Sequence, residues 1–141
     1  MSMFRNLDIS ASGLQAGRIR MDVIAQNIAN ADSGGNGLPP YRPKEVVMVS
    51  QPLRERGAFV SARTDSGGVR VLAVREDQSP NRLVYRPGDP AANQDGYVEL
   101  SNVSLPMEMV DMVAASRAYE SNAAALKAAR QLAARTLDIL R

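Results

Sequence analysis

Of the eighteen glycines and prolines in this 141-residue chain, fifteen lie between Gly34 and Gly96, and only Gly13, Gly17 and Pro106 fall outside. Helix-breaking residues are thus concentrated in the middle of the chain, which leaves both ends free to form long helices. Each end carries a matching apolar repeat. Leu7, Leu14, Met21 and Ile28 recur every seven residues, and Phe4, Ala11, Ile24 and Ala25 widen the stripe over residues 3–29. Toward the other end, Leu105, Met112, Tyr119, Leu126, Ala133 and Leu140 repeat the spacing, flanked by Met109, Ala115, Ala123, Ala129 and Leu137. Spacings of three, four and seven place such side chains on one helical face, and a sustained seven-residue period favours packing against another helix.

Local chemistry supports a second helix over residues 105–140. Ser104 is suited to cap it, and Pro106 falls in the first turn, where a missing N–H is harmless. Ten of the 21 residues from Ala114 to Ala134 are alanine, the strongest helix former. Gly13 and Gly17, four residues apart, allow close approach of a neighbouring backbone.

Between the helices the apolar period changes to two. Val46–Val49, Ala58–Arg63, Val69–Arg75, Leu83–Tyr85 and Tyr97–Leu100 read as short strands. Asp65-Ser66-Gly67-Gly68 reads as a turn between the second and third of them, and Pro80, Pro87 and Pro90 mark further turns. The expected fold is α+β: two long terminal coiled-coil helices forming a helical hairpin, with a small antiparallel β insert. The corresponding boundaries are 1–30 and 104–141 for the helical part, 31–43 for a connector and 44–103 for the insert.

Composition narrows the chemistry. With neither His nor Cys, the chain has no imidazole base, no thiol nucleophile, no His/Cys zinc or haem site and no disulfide. Seventeen Lys and Arg against fifteen Asp and Glu give a net charge of only +2, which is no nucleic-acid footprint. Charges at Asp8, Arg18, Arg20 and Asp22 interrupt the apolar N-terminal stretch, so neither a stable membrane span nor a cleaved leader is expected. Asn93-Gln94-Asp95-Gly96 resembles a fragment of a calcium loop but lacks two required carboxylates. Asp89 and Asp95 would be the acid pair of a small carboxylate-dependent hydrolase; the turn formers around them favour turn capping instead. A basic surface adaptor built on Arg18, Arg20, Lys127, Arg130 and Arg135 is disfavoured by the interspersed Asp22, Glu120 and Asp138. No catalytic residue, cofactor or metal is expected.

The N-terminal run Ala11-Ser12-Gly13-Leu14, Ala16, Arg18, Arg20-Met21-Asp22, followed by Asn27-Ile28-Ala29-Asn30-Ala31, resembles the signature that opens the bacterial flagellar rod and hook axial proteins. The remainder is similar to the proximal-rod members of that family at Pro40-Tyr41-Arg42, Gly67-Gly68-Val69, Val84-Tyr85, Pro87-Gly88, Asp95-Gly96-Tyr97-Val98, Asn102-Val103, Glu108-Met109, Ala115-Ser116-Arg117 and Tyr119-Glu120, with Asn122. The chain departs from the family pattern at Pro43, usually basic, at Asp89, often His, at Ser101, often Pro, and at Ser121, often Ala.

The resemblance implies a structural subunit of the drive shaft that carries motor torque across the periplasm. A sibling proximal-rod or hook-type subunit is the alternative within the family. It further implies export through the flagellar type III apparatus without a cleaved leader, ordering of the terminal helices on assembly, and partners that are copies of the chain itself and other rod proteins. The expected packing and assembly residues are Leu7, Gly13, Leu14, Gly17, Met21, Ile24, Ile28, Met109, Met112, Tyr119, Leu126, Leu137 and Leu140. Family-motif positions are Asn27, Asn30, Tyr41, Arg42, Tyr85, Gly96, Tyr97, Arg117 and Asn122. A thiol-free chain also suits an oxidising compartment, where it cannot crosslink.

Overall fold

The breaker-poor ends become two helices, α1 (Met3–Ala29) and the alanine-rich α2 (Leu105–Ile139), in a computed structural model that describes residues 3–33, 39–52 and 66–139. Four strands lie between them: β1 (Lys44–Pro52), β2 (Ser66–Glu76), β3 (Arg82–Tyr85) and β4 (Tyr97–Leu100). They form two separate two-stranded antiparallel sheets, β1 with β2 and β3 with β4. The architecture is α+β. The expected strand Ala58–Arg63 and the packing residue Leu140 lie outside the described residues, as does the side chain of Leu137.

The helices pack side by side. Gly13 lies against Asn122, Gly17 against Tyr119, Arg20 pairs with Asp111, and Asn27 bonds Glu108. Partners descend along α2 as residues ascend along α1, so the two run antiparallel. At a rise of ~1.5 Å per residue, the 35-residue α2 is about 50 Å long, against about 40 Å for the 27-residue α1. With Gly13 opposite Asn122, the last turns of α2 project beyond the start of α1.

The interior is thin. On α1, Ala16, Val23, Ile24 and Asn27 are buried, and Ala31 just beyond the helix joins them. On α2 only Ala115 is buried among the described side chains. Leu7, Leu14, Met21 and Ile28 are half-buried. Met112, Tyr119 and Leu126 are half-buried on the side of α2 that faces α1. Met109 points outward and is 53% exposed.

The β1–β2 ribbon rests on α1 and corrects one sequence expectation. Ser66, Gly67 and Gly68 do not turn; they are the first residues of β2, where Ser66 and Gly68 pair with the end of β1. The reason is tertiary. A Cβ on Gly68 would stand 2.7 Å from Ser12 Oγ of α1, so the strand needs glycine where it crosses the helix. Register breaks opposite Val47/Met48 and Gln51/Pro52 leave Leu72 and Gly67 as extra residues on β2, bulges that bend it along α1.

Val98, Leu100 and Ser101 form a small buried patch at β4. Among the described residues, the backbone of the β3–β4 ribbon comes close to neither helix nor the other ribbon, and it is joined to them through its flanking loops.

Candidate assembly interface

Asn27 is only 2% exposed, in the last turns of α1, and its primary amide is fully used. Its Nδ2 donates to the Lys44 carbonyl at 2.9 Å and to Glu108 Oε1 at 3.0 Å. Its Oδ1 accepts the Lys44 backbone N–H at 2.9 Å and the Tyr41 hydroxyl at 2.9 Å. One side chain therefore ties the end of α1 to the connector, the start of β1 and the first turns of α2. No other neutral side chain of this size supplies two donors and two acceptors in one plane. Buried amides in such networks are worth more than isolated surface bonds, because each lost partner leaves a desolvated group unpaired.

The hub perturbs two titratable groups. Burial pushes the Glu108 carboxyl above the usual range; the Asn27 bond opposes this, and the Asp111 charge reinforces it. Burial also raises the Tyr41 phenol, with help from the nearby Glu108 and Glu76 carboxylates. Outside the hub, Ser79 donates its hydroxyl and backbone N–H to Asp77 Oδ1, which holds that exposed carboxyl below its ordinary value.

A second junction lies near the middle of α1. Ser12 Oγ donates to the Ile9 carbonyl at 2.7 Å and accepts Val69 N–H of β2 at 3.1 Å. One residue along, an added Cβ on Gly13 would meet the Asn122 amide at 2.9–3.0 Å. Gly17 is opposite the Tyr119 ring, at ordinary contact distance for a Cβ. Asn122 itself donates back to the Ala118 carbonyl, which fixes its amide over Gly13. These small residues set the distance between the helices.

The remaining motif positions have local tasks. Asn30 Nδ2 donates to the Gln26 carbonyl, while its own carbonyl accepts from the Ser33 N–H and hydroxyl, ending α1 in a turn. Arg42 reaches the Asp77 carbonyl at 3.3 Å. Tyr85 and Tyr97 meet edge to face, centroids 5.3 Å apart, across the β3–β4 pair. Gly96 precedes Tyr97 at φ +79°, with room for no side chain beside Tyr85 and Pro87. Arg117 is exposed on α2.

Asp89 and Asp95 lie in successive turns. Asp89 Oδ1 accepts the Ala91 N–H and so caps its turn. In the next turn the capping group is Asn93, whose Oδ1 takes the N–H groups of Asp95 and Tyr97. Among the described residues no group of three or more acidic side chains is placed to hold a metal ion.

Sequence reasoning missed three members of these junctions: Ser12 as a strand anchor, Gly68 as a crossing point, and Glu108 as a partner of Asn27. The last is separated from Asn27 by 81 residues, a distance over which no local pattern carries information.

Comparison with known proteins assigns the chain. Residues 7–35 match the family described as flagella basal body rod protein, and residues 94–139 match the flagellar basal body rod FlgEFG protein C-terminal family. The flagellar basal-body rod protein FlgC of Yersinia enterocolitica is 41% identical over 143 residues, covering 99% of this chain and 98% of its own. Its counterpart in Bacillus subtilis is 40% identical over 148 residues and 99% of both chains, and that of Borreliella burgdorferi 38% over 155 residues. End-to-end likeness at this level, with one rod-family segment covering most of α1 and the other β4 and α2, means that the chain belongs to the FlgC family of flagellar basal-body rod proteins.

Proposed function

We infer that the two helices are the assembly elements of this structural rod subunit, and that they pack in coiled-coil fashion against other copies and other rod proteins. The observation that carries this reading is the bareness of α2. Along its 35 residues only Ala115 is buried among the described side chains, while Met107, Met109, Val110, Val113 and Leu132 are each more than half exposed. An isolated subunit gains little by ordering such a helix, since most helical stability in proteins comes from burying an apolar face. Neighbours in a rod supply what the subunit lacks.

A division of labour follows. The hub at Asn27 and the Ser12–Gly68 junction hold the connected end of the two helices and the β1–β2 ribbon in the free subunit. The distal part of α2, from about Asn122 onward, orders as it is covered. Coupling folding to assembly keeps free subunits from polymerising early and leaves a chain loose enough for export through the type III apparatus. Leu7, Leu14, Met21, Ile28, Met109, Met112, Tyr119 and Leu126 are the residues proposed to meet neighbours or to seat the helices for them. Export proceeds without a cleaved leader, and the assembled subunit transmits torque within the periplasmic rod.

Leu126→Asp tests the reading. It is expected to leave the purified chain soluble but to keep it out of isolated basal bodies and to abolish swimming. Normal incorporation of that variant would refute it.

A further inference from the structure

A groove of about 720 Å³ opens where α1, the β1–β2 ribbon and the first turns of α2 converge. Its floor is apolar, with Val23, Ile24, Val46 and Met48, and five carboxylates line it: Glu45, Glu76, Asp77, Glu108 and Asp111. Three cations also line it, and two are already paired: Arg20 with Asp111 at 3.7 Å and Arg75 with Glu45 at 3.1 Å. The third, Lys44, leans over the Tyr41 ring at 6.0 Å. Among the described residues Glu76, Asp77 and Glu108 have no cation within ion-pair distance.

The opposite end of the molecule carries the complementary chemistry. Residues 123–141 hold Lys127, Arg130, Arg135 and Arg141 against Asp138 alone. Leu132, 60% exposed, lies one turn from Arg135 on the same face of α2. This end projects past the start of α1. It cannot reach the groove of its own chain, because Glu108 and Arg135 are 27 residues apart on one helix, roughly 40 Å.

We propose that the acidic groove receives the basic, leucine-bearing C-terminal end of α2 from a second copy of this chain. This rests on the assembly reading above and gives it an address. One helical turn, ~11 Å across and ~5.4 Å long, occupies on the order of 500 Å³, so the groove accommodates about one turn with its side chains. Leu132 meets the apolar side chains of the groove, and Arg135, one turn away on the same face, brings a cation to its carboxylates. The contact joins unlike surfaces at opposite ends of the molecule, so each copy keeps a free groove or a free helix end, as a head-to-tail contact requires.

Because the chain contains no cysteine, the contact can be trapped without background. The test places Glu76→Cys and Arg135→Cys together in the full chain, expressed in a bacterium lacking its own copy, and treats isolated basal bodies with a bismaleimide. Bands at two or more times the chain mass, absent from either single variant, are expected. A band shifted by the mass of a different rod protein overturns the choice of occupant. Variant present in basal bodies but uncrosslinked overturns the contact alone. Absence of even the parent chain from basal bodies removes the rod reading and the contact with it. A charge exchange gives a second readout: Glu76→Arg is expected to impair swimming, and adding Arg135→Glu to restore it. Failure of the exchange to restore a Glu76→Arg defect, or normal swimming of Glu76→Arg, counts against the pairing.

Discussion

Asn27 offers Lys44 the same two hydrogen bonds that a neighbouring β-strand would: its Nδ2 donates to the Lys44 carbonyl and its Oδ1 accepts the Lys44 N–H, both at 2.9 Å. A helix side chain thereby starts the β1 strand. The arrangement solves a general difficulty, since the first residue of a strand that leaves a connector has backbone groups with no ladder partner on that side. The same amide then spends its remaining donor on Glu108 and its remaining lone pair on Tyr41, so the strand start and both helices share one anchor.

Replacing Asn27 therefore exposes an asymmetry between its two ends. Asn27→Ala leaves the Lys44 N–H and C=O unpaired at a buried site and is expected to cost about 3 kcal/mol, read from urea unfolding of the purified chain. Asn27→Asp keeps the acceptor but turns a carboxylate oxygen toward the Lys44 carbonyl and Glu108. It is expected to be at least as damaging at neutral pH and to recover partly on acidification, as the new carboxyl gains a proton to donate. Equal stability of wild type and either variant would mean that the hub contributes nothing.

Gly68 and Ser12 form a second test. Ser12 Oγ is held from both sides, by the Ile9 carbonyl and the Val69 N–H, so it cannot retreat from a methyl group placed 2.7 Å away. Gly68→Ala is expected to destabilise by about 1–3 kcal/mol, the usual cost of overpacking. Combined with Ser12→Ala, which removes the clashing oxygen, the loss should be smaller than the sum of the two by at least ~0.5 kcal/mol, because residues in contact do not act additively. Strict additivity would show that strand and helix do not meet as described.

These junctions explain which parts of the fold were legible in the sequence. The terminal helices were legible because glycine and proline are concentrated in the middle, and β4 because Tyr97–Leu100 alternates inside and out between turn formers. The inner face of α1 was not. The most apolar stripe, Leu7 to Ile28, is only half-buried, and the buried positions include Ala16, Val23 and the polar Asn27, residues whose burial follows from what packs on them. Ser66-Gly67-Gly68 has turn composition and strand structure, because its glycines serve a crossing made 57 residues away in sequence. Glu108 reads locally as a charge suited to a helix start, and only the tertiary fold makes it a ligand of Asn27.

Glu108 also gives the protein a pH dependence of predictable sign. Its carboxyl titrates higher in the folded chain than in the unfolded one, chiefly through burial. Its stabilising contribution is therefore complete below the ordinary glutamate range and is lost as pH rises through the displaced value. Glu108→Gln keeps an oxygen for the Asn27 donor while removing the charge. The variant is expected to be more stable than wild type at pH 7, with the gap closing as the pH falls to the ordinary range. Asp77 works the opposite way: its lowered carboxyl adds stability above the ordinary aspartate range that is lost on strong acidification. A gap for Glu108→Gln that widened with falling pH would reverse the assignment.

The β3–β4 ribbon permits a change that should not spread. Gly96 holds a left-handed φ of +79°, and a Cβ there would lie 2.9 Å from Tyr85 Cε2 and 3.2 Å from Pro87 Cβ. A β-carbon in that conformation costs roughly 1–2 kcal/mol before any clash is counted. Two-stranded ribbons are marginal by themselves, so this loss is large relative to what holds β3 against β4. Gly96→Ala is expected to separate Tyr85 from Tyr97, seen in NMR as loss of the ring-current shifts and of cross-peaks between the two rings. Among the described residues the ribbon's backbone comes close to neither helix, so the far-ultraviolet helical signal should stay at the wild-type level. Collapse of the helical signal along with the tyrosine contact would mean that the ribbon supports the helices through its loops, and that the two halves of the insert fold as one unit.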